Sequence, residues 1–310
     1  MNKSRRSFIK HASLASTSLL FPPLFTLEQN GFEKLTILYT NDWHSRIEPF
    51  PADHPIYGNK GGAARRAALI SEIKKTEKNV IVLDAGDMIQ GTPYFNFFGG
   101  ELEIDLMNKM GYHAATLGNH DFDNGLIGLE KLIRRAQFKI LNCNYDLSDT
   151  VINNLVYPYQ IFKAGKVKIG VTGVGIELNG LVPSPNIKGL VYQNPINKAN
   201  ETATFLKKEK GCAVVICLSH LGFEYKTNKV SDKALAASSK NIDFILGGHT
   251  HTYLENFVEI SNLNNQIVSI SQMGWAGLYL GRIDLIFQPI AKNSETSFAI
   301  HDVFKNTIAI

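Results

Sequence analysis

The stretch NVIVLDAGD at residues 79–87 decides how the rest of the chain is interpreted. An uninterrupted apolar run, 80–83, ends abruptly at Asp84, and Asp87 follows after two small residues. Continuous apolar, β-branched runs are typical of strands that are buried on both faces, as in parallel sheets covered by helices. The stretch therefore predicts a central strand with acidic residues at its carboxyl end.

The same pattern recurs at four other places, so this strand belongs to a series. Helical patterns at 62–78, 101–111, 125–136 and 197–211 lie among the apolar runs. Strands that alternate with helices indicate an α/β layered domain. The other runs are LTILYT (35–40) before NDWH, AATL (114–117) before GNHD, AVVICLSH (213–220) and IDFILGGHTH (242–251).

Further strands are predicted outside this series. KVKIGVTGVG (166–175) is one of them. QIVSISQMG (266–274) and GLYLGRIDLIF (277–287) are predicted to pair with each other around a Gly-Trp-Ala-Gly turn. The final segment, 293–310, is expected to add an edge strand. The sequence contains no internal repeat, so we predict one domain over residues 30–310.

The first residues of the chain are typical of an export signal. A basic head precedes a weakly apolar run that is too short to cross a bilayer, and SRRSFIK (4–10) is similar to the twin-arginine motif. We therefore predict a twin-arginine-type signal peptide over residues 1–29 and a periplasmic or exported protein. Two chance arginines before an amphipathic segment are the alternative. No small-x-small site is obvious before Gln29, so both cleavage and retention as an anchor stay open.

The net charge of +4 comes from the N-terminus and not from the body of the chain. Lys3, Arg5, Arg6 and Lys10 supply it, and no acidic residue precedes Glu28. A near-neutral body predicts neither a nucleic acid polymer as partner nor attachment to a charged membrane, and no stable membrane span is predicted. The 3 cysteines form no disulfide framework or zinc ribbon. Two of them, Cys212 and Cys217, lie in an apolar stretch and are predicted to be small buried side chains.

Polar side chains follow each of the five apolar runs. Ligands of α/β sheets gather at the carboxyl ends of strands, because the loops there face a common crevice. His249 and His251 alternate along an extended segment, which places both rings on one side. A lone histidine such as His220 is more typical of capping or packing, and Asp84 is predicted to cap a turn. The pooled candidates are Asp42, His44, Asp87, Asn119, His120, Asp121, Asp123, His220, His249 and His251.

The number and type of these residues predict two divalent metal ions. A single tetrahedral zinc ion needs about four ligands, and a carboxylate that is free to bridge suggests two ions roughly 3.5–4 Å apart. Without thiolates, an iron–sulfur or structural zinc site is disfavoured, and manganese, iron, zinc and cobalt all stay open. The remaining histidines are predicted to be surface or packing residues: His11, His54, His113 and His301.

Five motifs in this order, TNDWH, AGDMIQGTP, GNHDFD, SH and GGHTH, resemble those of the calcineurin-like metallophosphoesterase superfamily, specifically its 5'-nucleotidase branch. The resemblance covers roughly residues 35–287. It implies a four-layer αββα sandwich, in which two sheets lie between layers of helices. It also implies that residues 30–310 are the N-terminal catalytic domain and that the C-terminal nucleotide-specificity domain of the branch is absent.

The same resemblance implies a role for each candidate. His120 and Asp123 match the catalytic dyad of the branch, in which the histidine assists the leaving group; an N-cap for the helix near Gly125 is the alternative for Asp123. Asp121 is expected to be structural, and Arg46 either approaches a phosphate or lies solvated at the surface. One metal ion would be held by Asp42, His44, Asp87 and His251, and the second by the bridging Asp87 with Asn119, His220 and His249.

The implied function is that of an exported dimetal phosphohydrolase acting on nucleotides or related phosphoesters. Two cations lower the pKa of a bridging water, so that hydroxide attacks phosphorus in line with the ester oxygen. Cyclic nucleotides, nucleotide sugars or a sulfur ester are alternative substrates, and a non-catalytic metal-binding subunit is another alternative. With no specificity domain expected, a separate protein resembling the C-terminal nucleotidase domain is a predicted partner; a more open and less selective substrate pocket is the alternative.

Overall fold

The computed structural model of the chain describes residues 32–289 and 298–310. The predicted signal peptide, 1–29, lies outside these residues, as do His11 and the side chain of His301. The helices are α1 (Ala63–Thr76), α2 (Pro93–Phe98), α3 (Glu101–Met110), α4 (Gly125–Arg135), α5 (Pro195–Lys208) and α6 (Asp232–Ala237). The strands are β1 (Glu33–Thr40), β2 (Val80–Asp84), β3 (Ala114–Ala115), β4 (Lys139–Leu141), β5 (Tyr145–Asp146), β6 (Val156–Tyr157), β7 (Tyr159–Ala164), β8 (Val167–Gly175), β9 (Val191–Tyr192), β10 (Val214–His220), β11 (Phe244–Gly247), β12 (Val258–Ser261), β13 (Ile267–Gln272), β14 (Tyr279–Pro289) and β15 (Phe298–Ala309).

Within the described residues, the larger sheet contains seven strands in the order β15-β14-β1-β2-β3-β4-β6. The strands from β1 to β6 in this order run parallel, whereas β14 pairs antiparallel with both β1 and β15. β15 lies at the end of the order, which confirms the predicted edge strand. The parallel arrangement brings the carboxyl ends of β1, β2 and β3 to one side of the sheet.

The second sheet, in the same described part of the chain, contains six strands in the order β12-β13-β11-β10-β8-β7. β8, β10, β11 and β13 run parallel, and the outer strands β7 and β12 are antiparallel to their neighbours. A small antiparallel pair, β5 with β9, accompanies the two sheets. The central strands β10 and β11 end at His220 and Gly247, so the loops after them emerge side by side.

Three hydrophobic clusters show how sheets and helices are layered. Leu83 of the larger sheet and Ile216 of the second sheet belong to one cluster, which fills the space between the sheets. A second cluster packs α1, α3 and α4 against the outer face of the larger sheet, with Ile104 fully buried in it. A third packs α5 and α6 against the second sheet through Leu206 and Leu235. This arrangement confirms the predicted α/β four-layer αββα sandwich.

The prediction that the segments flanking the Gly-Trp-Ala-Gly turn pair with each other is wrong. β13 pairs with β11 and β12 in the second sheet, whereas β14 pairs with β1 and β15 in the larger sheet. Residues 274–277, which we call the linking turn, therefore carry the chain from one sheet to the other. Apolar patterning predicts that a segment is a strand, but it does not name the strand that pairs with it.

Four helices have bounds within three residues of the predicted ranges, whereas the short helices α2 and α6 were not predicted. α5 begins two residues before the predicted start, because Pro195 suits the first helical position and Asn194 Oδ1 accepts from Asn197 N at 3.0 Å. Cys212 and Cys217 are buried, as predicted. Over the residues that the structure covers, none of the helices has the length and apolar character needed to cross a membrane.

Candidate metal centre

The candidate ligands lie at the seam where strand ends of the two sheets meet. Each lies at or after the carboxyl end of a parallel strand, which is where α/β folds collect ligand-binding residues. All seven predicted metal ligands come together there. The larger sheet supplies Asp42, His44, Asp87 and Asn119, and the second sheet supplies His220, His249 and His251.

Asp42, His44 and His251 form the first triad. Nε2 of His251 lies 3.0 Å from Nε2 of His44 and 3.4 Å from Oδ1 of Asp42. Nδ1 of His44 is 2.9 Å from Gln90 O. A carbonyl oxygen only accepts hydrogen bonds, so Nδ1 of His44 carries the proton and its Nε2 presents a lone pair to the centre of the triad.

Asp87, His220 and His249 form the second triad. Nε2 of His220 lies 3.1 Å from Oδ2 of Asp87, and its Nδ1 donates to Ala85 O at 2.7 Å. Nδ1 of His249 is 2.8 Å from Oδ1 of Asn119, which adds the amide to this group. Carbonyl partners of this kind fix the tautomer and orientation of metal-binding imidazoles.

Asp87 is placed between the two triads. Its Oδ2, 3.1 Å from His220, is also 3.7 Å from Nε2 of His44, and its Oδ1 accepts from His120 N at 2.8 Å. Burial alone would raise the pKa of Asp87, but the imidazoles of His220 and His44 outweigh it and hold that pKa well below its usual range. The carboxylate is therefore ionised and available to both triads.

The contacts of His220 with its neighbours fit a bound divalent cation. With its proton on Nδ1, its buried Nε2 makes no hydrogen bond although a carboxylate oxygen lies 3.1 Å away. Two acceptors at that distance repel each other unless a cation or a second proton lies between them. In the absence of a cation, burial lowers the pKa of His220 but Asp87 outweighs it and raises the pKa to about 10. A nitrogen and oxygen donor set without sulfur suits zinc, manganese, iron or cobalt.

Many of the candidate ligands adopt backbone conformations that L-residues rarely take. Gly86 and Gly248 adjoin two of them and leave room for close approach, because a Cβ at Gly248 would lie 2.9 Å from Asp42 Oδ2. Left-handed conformations of this kind cluster at functional sites, where the surrounding structure holds them in place. The values of φ are 49° at Asp42, 52° at His44, 54° at Asp87, 74° at His249 and 52° at His251.

His120 and Asp123 form a hydrogen-bonded pair beside the first triad. Nδ1 of His120 is 2.9 Å from Oδ2 of Asp123, and its ring lies edge-on to His44 with centroids 5.3 Å apart. The N-cap of α4 is Asn124, so the alternative interpretation of Asp123 as that N-cap is wrong. The carboxylate of Asp123 therefore accepts a hydrogen bond from the imidazole of His120 and does not cap α4.

Two other aspartates of the strand ends have structural contacts, as predicted. Oδ2 of Asp121 accepts from Asp87 N at 3.0 Å and Gly118 N at 2.8 Å, and burial raises its pKa to about 8. Asp84 accepts from Gly86 N at 2.9 Å, and burial raises its pKa to about 7. Asp121 joins the loops after β2 and β3, and Asp84 caps the turn that leads to Asp87.

The structure also shows groups near the site that the sequence did not single out. Lys229 lies 4.8 Å from the ring centroid of Tyr225, and its charge contributes to the lowered pKa of His249, which is caused chiefly by burial. Trp275 stacks on His251. Arg46, which was expected either to approach a phosphate or to lie solvated at the surface, lies over the ring of Phe50 at 4.4 Å and is half-buried.

The two other histidines with described side chains lie outside the triads, as predicted. His54 stacks on Tyr57 with ring centroids 5.4 Å apart. Nδ1 of His113 accepts from Val82 N at 3.0 Å. Both are packing residues.

Sequence comparison connects this geometry with known proteins. The family described as calcineurin-like phosphoesterase matches residues 35–253. Over 282 residues the chain is 33% identical to the snake venom 5'-nucleotidase of Crotalus adamanteus, a match that covers 83% of this chain and 46% of that protein.

Solved structures give the same result. The 5'-nucleotidase precursor from Thermus thermophilus has a TM-score of 0.76 at 27% identity, covering 89% of this chain and 54% of that one. The NAD nucleotidase of Haemophilus influenzae has a TM-score of 0.74 at 28% identity, covering 90% and 57%. The chain spans about half the length of these relatives. Its motifs, its fold and its relatives of the 5'-nucleotidase branch agree, and the chain belongs to the calcineurin-like phosphoesterases.

Proposed function

We propose that this protein is a dimetal phosphohydrolase that cleaves nucleotides or related phosphoesters. The observation that carries the proposal is the position of Asp87 between two histidine-containing triads. Its Oδ2 is 3.1 Å from His220 and 3.7 Å from His44. Nε2 of both imidazoles faces this carboxylate, because their Nδ1 atoms are used on main-chain carbonyls.

The proposed metal ligands are the members of the two triads together with Asn119, and Asp87 is shared by both ions. Bound divalent cations would lower the pKa of a coordinated water and neutralise charge on phosphoryl oxygens. The carbonyls of Gln90 and Ala85 orient the imidazoles, and Asp121 holds the loop of Asp87 in register. One ion would be held by Asp42, His44, Asp87 and His251, and the other by Asp87, Asn119, His220 and His249.

His120 is proposed to hold a proton at the leaving oxygen of the substrate. Asp123 accepts from its Nδ1, so Nε2 is the atom that faces away from the carboxylate and is free to meet a substrate. An imidazole held in this way can donate a proton to a leaving oxygen. The side chain of His120 is 35% exposed, so a substrate can reach it.

A substrate panel tests this function. The purified chain, supplied in turn with manganese, zinc and cobalt, is expected to hydrolyse phosphoesters only when metal is present. The panel contains AMP, an aryl phosphate, a cyclic nucleotide, NAD, a nucleotide sugar and a sulfur ester. NAD is included because a relative is an NAD nucleotidase. Metal binding without turnover on any of these compounds would instead support a non-catalytic metal-binding subunit.

We also propose that residues 1–29 direct export by the twin-arginine route. The basis is the SRRSFIK motif, and one relative is a venom protein while another is a precursor. Replacing Arg5 and Arg6 with lysine is expected to retain the protein in the cytoplasm, as measured by fractionation. Replacement of Lys3 and Lys10 by arginine is the matched control, because it keeps the charge and leaves the arginine pair intact.

A separate protein resembling the C-terminal nucleotidase domain is proposed as a partner. The similar proteins are about twice as long as this chain, and large apolar side chains are exposed on α2 and α4, whose ends are joined by the hydrogen bond from Asn124 Nδ2 to Gly99 O at 2.9 Å. Phe97 is 80% exposed and Phe98 51% exposed on α2, and Ile127 on α4 is 67% exposed. Exposed large apolar side chains on adjoining helices are typical of interaction sites. High selectivity of the isolated chain for AMP over simple phosphoesters would contradict a need for this partner.

A further inference from the structure

The linking turn is tied to both loops that carry the first triad. Ala276 N donates to Asp42 O at 2.7 Å, and Gly274 N donates to Thr252 O at 3.0 Å. Nδ2 of Asn41 donates to Gly274 O at 2.7 Å. The turn thus has a fixed position relative to the two loops that approach from different sheets.

Trp275, within this turn, stacks on His251. The two rings are nearly parallel, with an interplanar angle of 3° and centroids 5.4 Å apart. Phe50 contacts the indole edge-on, with ring centroids 5.9 Å apart. His44 also contacts the imidazole, edge-on, with ring centroids 4.9 Å apart. Rotation of the His251 ring is therefore limited by packing on the indole.

His251 differs from the other histidine candidates in what holds its ring. The Nδ1 atoms of His44 and His220 bond to main-chain carbonyls, and that of His249 contacts Asn119. Among the described residues, none forms a hydrogen bond with Nδ1 of His251. Its side chain is also the most open of the first triad, at 38% exposed.

We propose that Trp275 is a positioning residue that orients His251 for metal binding in the first triad, an inference that rests on the proposed metal-dependent function. The stacked indole orients the ring of His251, as a main-chain carbonyl orients the rings of His44 and His220. Without it, the ring of His251 is free to rotate, and its Nε2 no longer points steadily toward Asp42.

Metal titration of the full chain after metal removal tests this role directly. Two binding events are expected for manganese in the wild type. Trp275→Leu is expected to weaken one event by about 10- to 100-fold, the effect of removing a group that orients a ligand. Trp275→Phe keeps a ring in place and is expected to restore binding to within about threefold of wild type. Trp275→Gln is a second variant without a ring, should the leucine variant fold poorly.

Tyr253→Leu is the matched control. Tyr253 lies two residues from His251 in the chain, but its ring stacks on Tyr279 with centroids 4.2 Å apart. Its removal loosens the same loop and leaves the stack on His251 intact, so both binding events are expected to persist. Wild-type affinity at both sites in Trp275→Leu and Trp275→Gln, or equal weakening in Tyr253→Leu, would overturn the proposal. A wild-type chain that binds metal without turnover would contradict the proposed hydrolase activity and leave the role of Trp275 standing.

Discussion

The two triads of the metal centre differ in openness and in what holds their rings. In the second triad, His220 is fully buried and donates to a main-chain carbonyl within the core. In the first triad, His251 is 38% exposed and rests on an indole at the rim. Each triad has two buried members, and its third member is exposed in the first triad and half-buried in the second, so the first triad is the more open to solvent.

If each triad holds one ion, as proposed, this contrast predicts that the ion of the first triad exchanges more readily than the ion of the second. A buried site loses its ion only when the surrounding packing opens, while an ion at the rim is exposed to competing ligands. His120 lies on the rim side, edge-on to His44. The exchangeable ion would therefore sit nearest to the leaving group.

Asp87→Asn is expected to have the largest effect, because this carboxylate approaches histidines of both triads. We expect both ions to be lost and turnover to fall by on the order of 10³-fold or more, since the loss of metal-assisted charge stabilisation is worth several kcal/mol. Metal content and turnover are the measurements. Asp243→Asn is the control, because Asp243 pairs with Lys207 away from the centre. Retention of both ions by Asp87→Asn would contradict the central placement of Asp87.

His120→Ala tests whether chemistry is concentrated at the rim. Turnover on an alkyl phosphate, which has a poor leaving group, is expected to fall about 10²- to 10⁴-fold, the usual contribution of general acid catalysis. An aryl phosphate with a good leaving group needs less proton assistance and is expected to lose far less. Metal content should stay at the wild-type value. Equal losses on both substrates would show that His120 does not act at the leaving group.

Metal removal by a chelator sharpens the contrast between the triads. We expect one ion to leave the wild type quickly and the other slowly, because His251 is open and His220 is buried. His251→Ala should weaken the binding of the rapidly released ion by at least about tenfold and leave the slowly released ion in place. His220→Ala should instead release the slow ion. A single release phase for both ions in the wild type would remove the distinction between the triads.

The smallest expected effect comes from His113, which lies outside both triads. Burial lowers its pKa from 6.5 to about 4. The unfolded chain binds more protons between these values, so the stabilisation is complete above the unfolded pKa and declines as the pH falls toward 4. For a partly exposed ring, the loss should be about 1–2 kcal/mol of unfolding free energy.

His113→Asn keeps an acceptor for Val82 N but has no titratable group. Denaturant unfolding at a series of pH values should therefore give a shallower acid decline for this variant than for the wild type. An identical decline in both proteins would show that His113 is not the source.

Much of the site could be predicted from the sequence because it depends on strand ends. A buried run that ends in a polar residue is visible in a stretch such as 79–87, and parallel pairing brings such ends together. The alternation of strands and helices predicted an α/β layered domain, and the family resemblance supplied the four layers. The ordering of the ligands into two groups depended on that resemblance alone.

The sequence did not reveal which sheet a strand joins or which main-chain groups contact a side chain. β13 and β14 have strand-like patterns, but their partners are in different sheets. The stack of Trp275 on His251 exists only because the linking turn crosses between those sheets. The carbonyls that orient His44 and His220 belong to Gln90 and Ala85, and a main-chain group leaves no signature in residue identity.

The placement of the ligands at the seam has a thermodynamic consequence. The larger sheet supplies Asp42 and Asp87, and the second sheet supplies His220 and His251. A bound ion would therefore cross-link the two halves of the inner core. An ion that binds only the folded chain raises the unfolding free energy by about 2.7 kcal/mol when its concentration is 100 times the dissociation constant. The melting temperature of this protein should rise with metal concentration. The heat stability of a sample would then measure the fraction of its metal sites that are occupied.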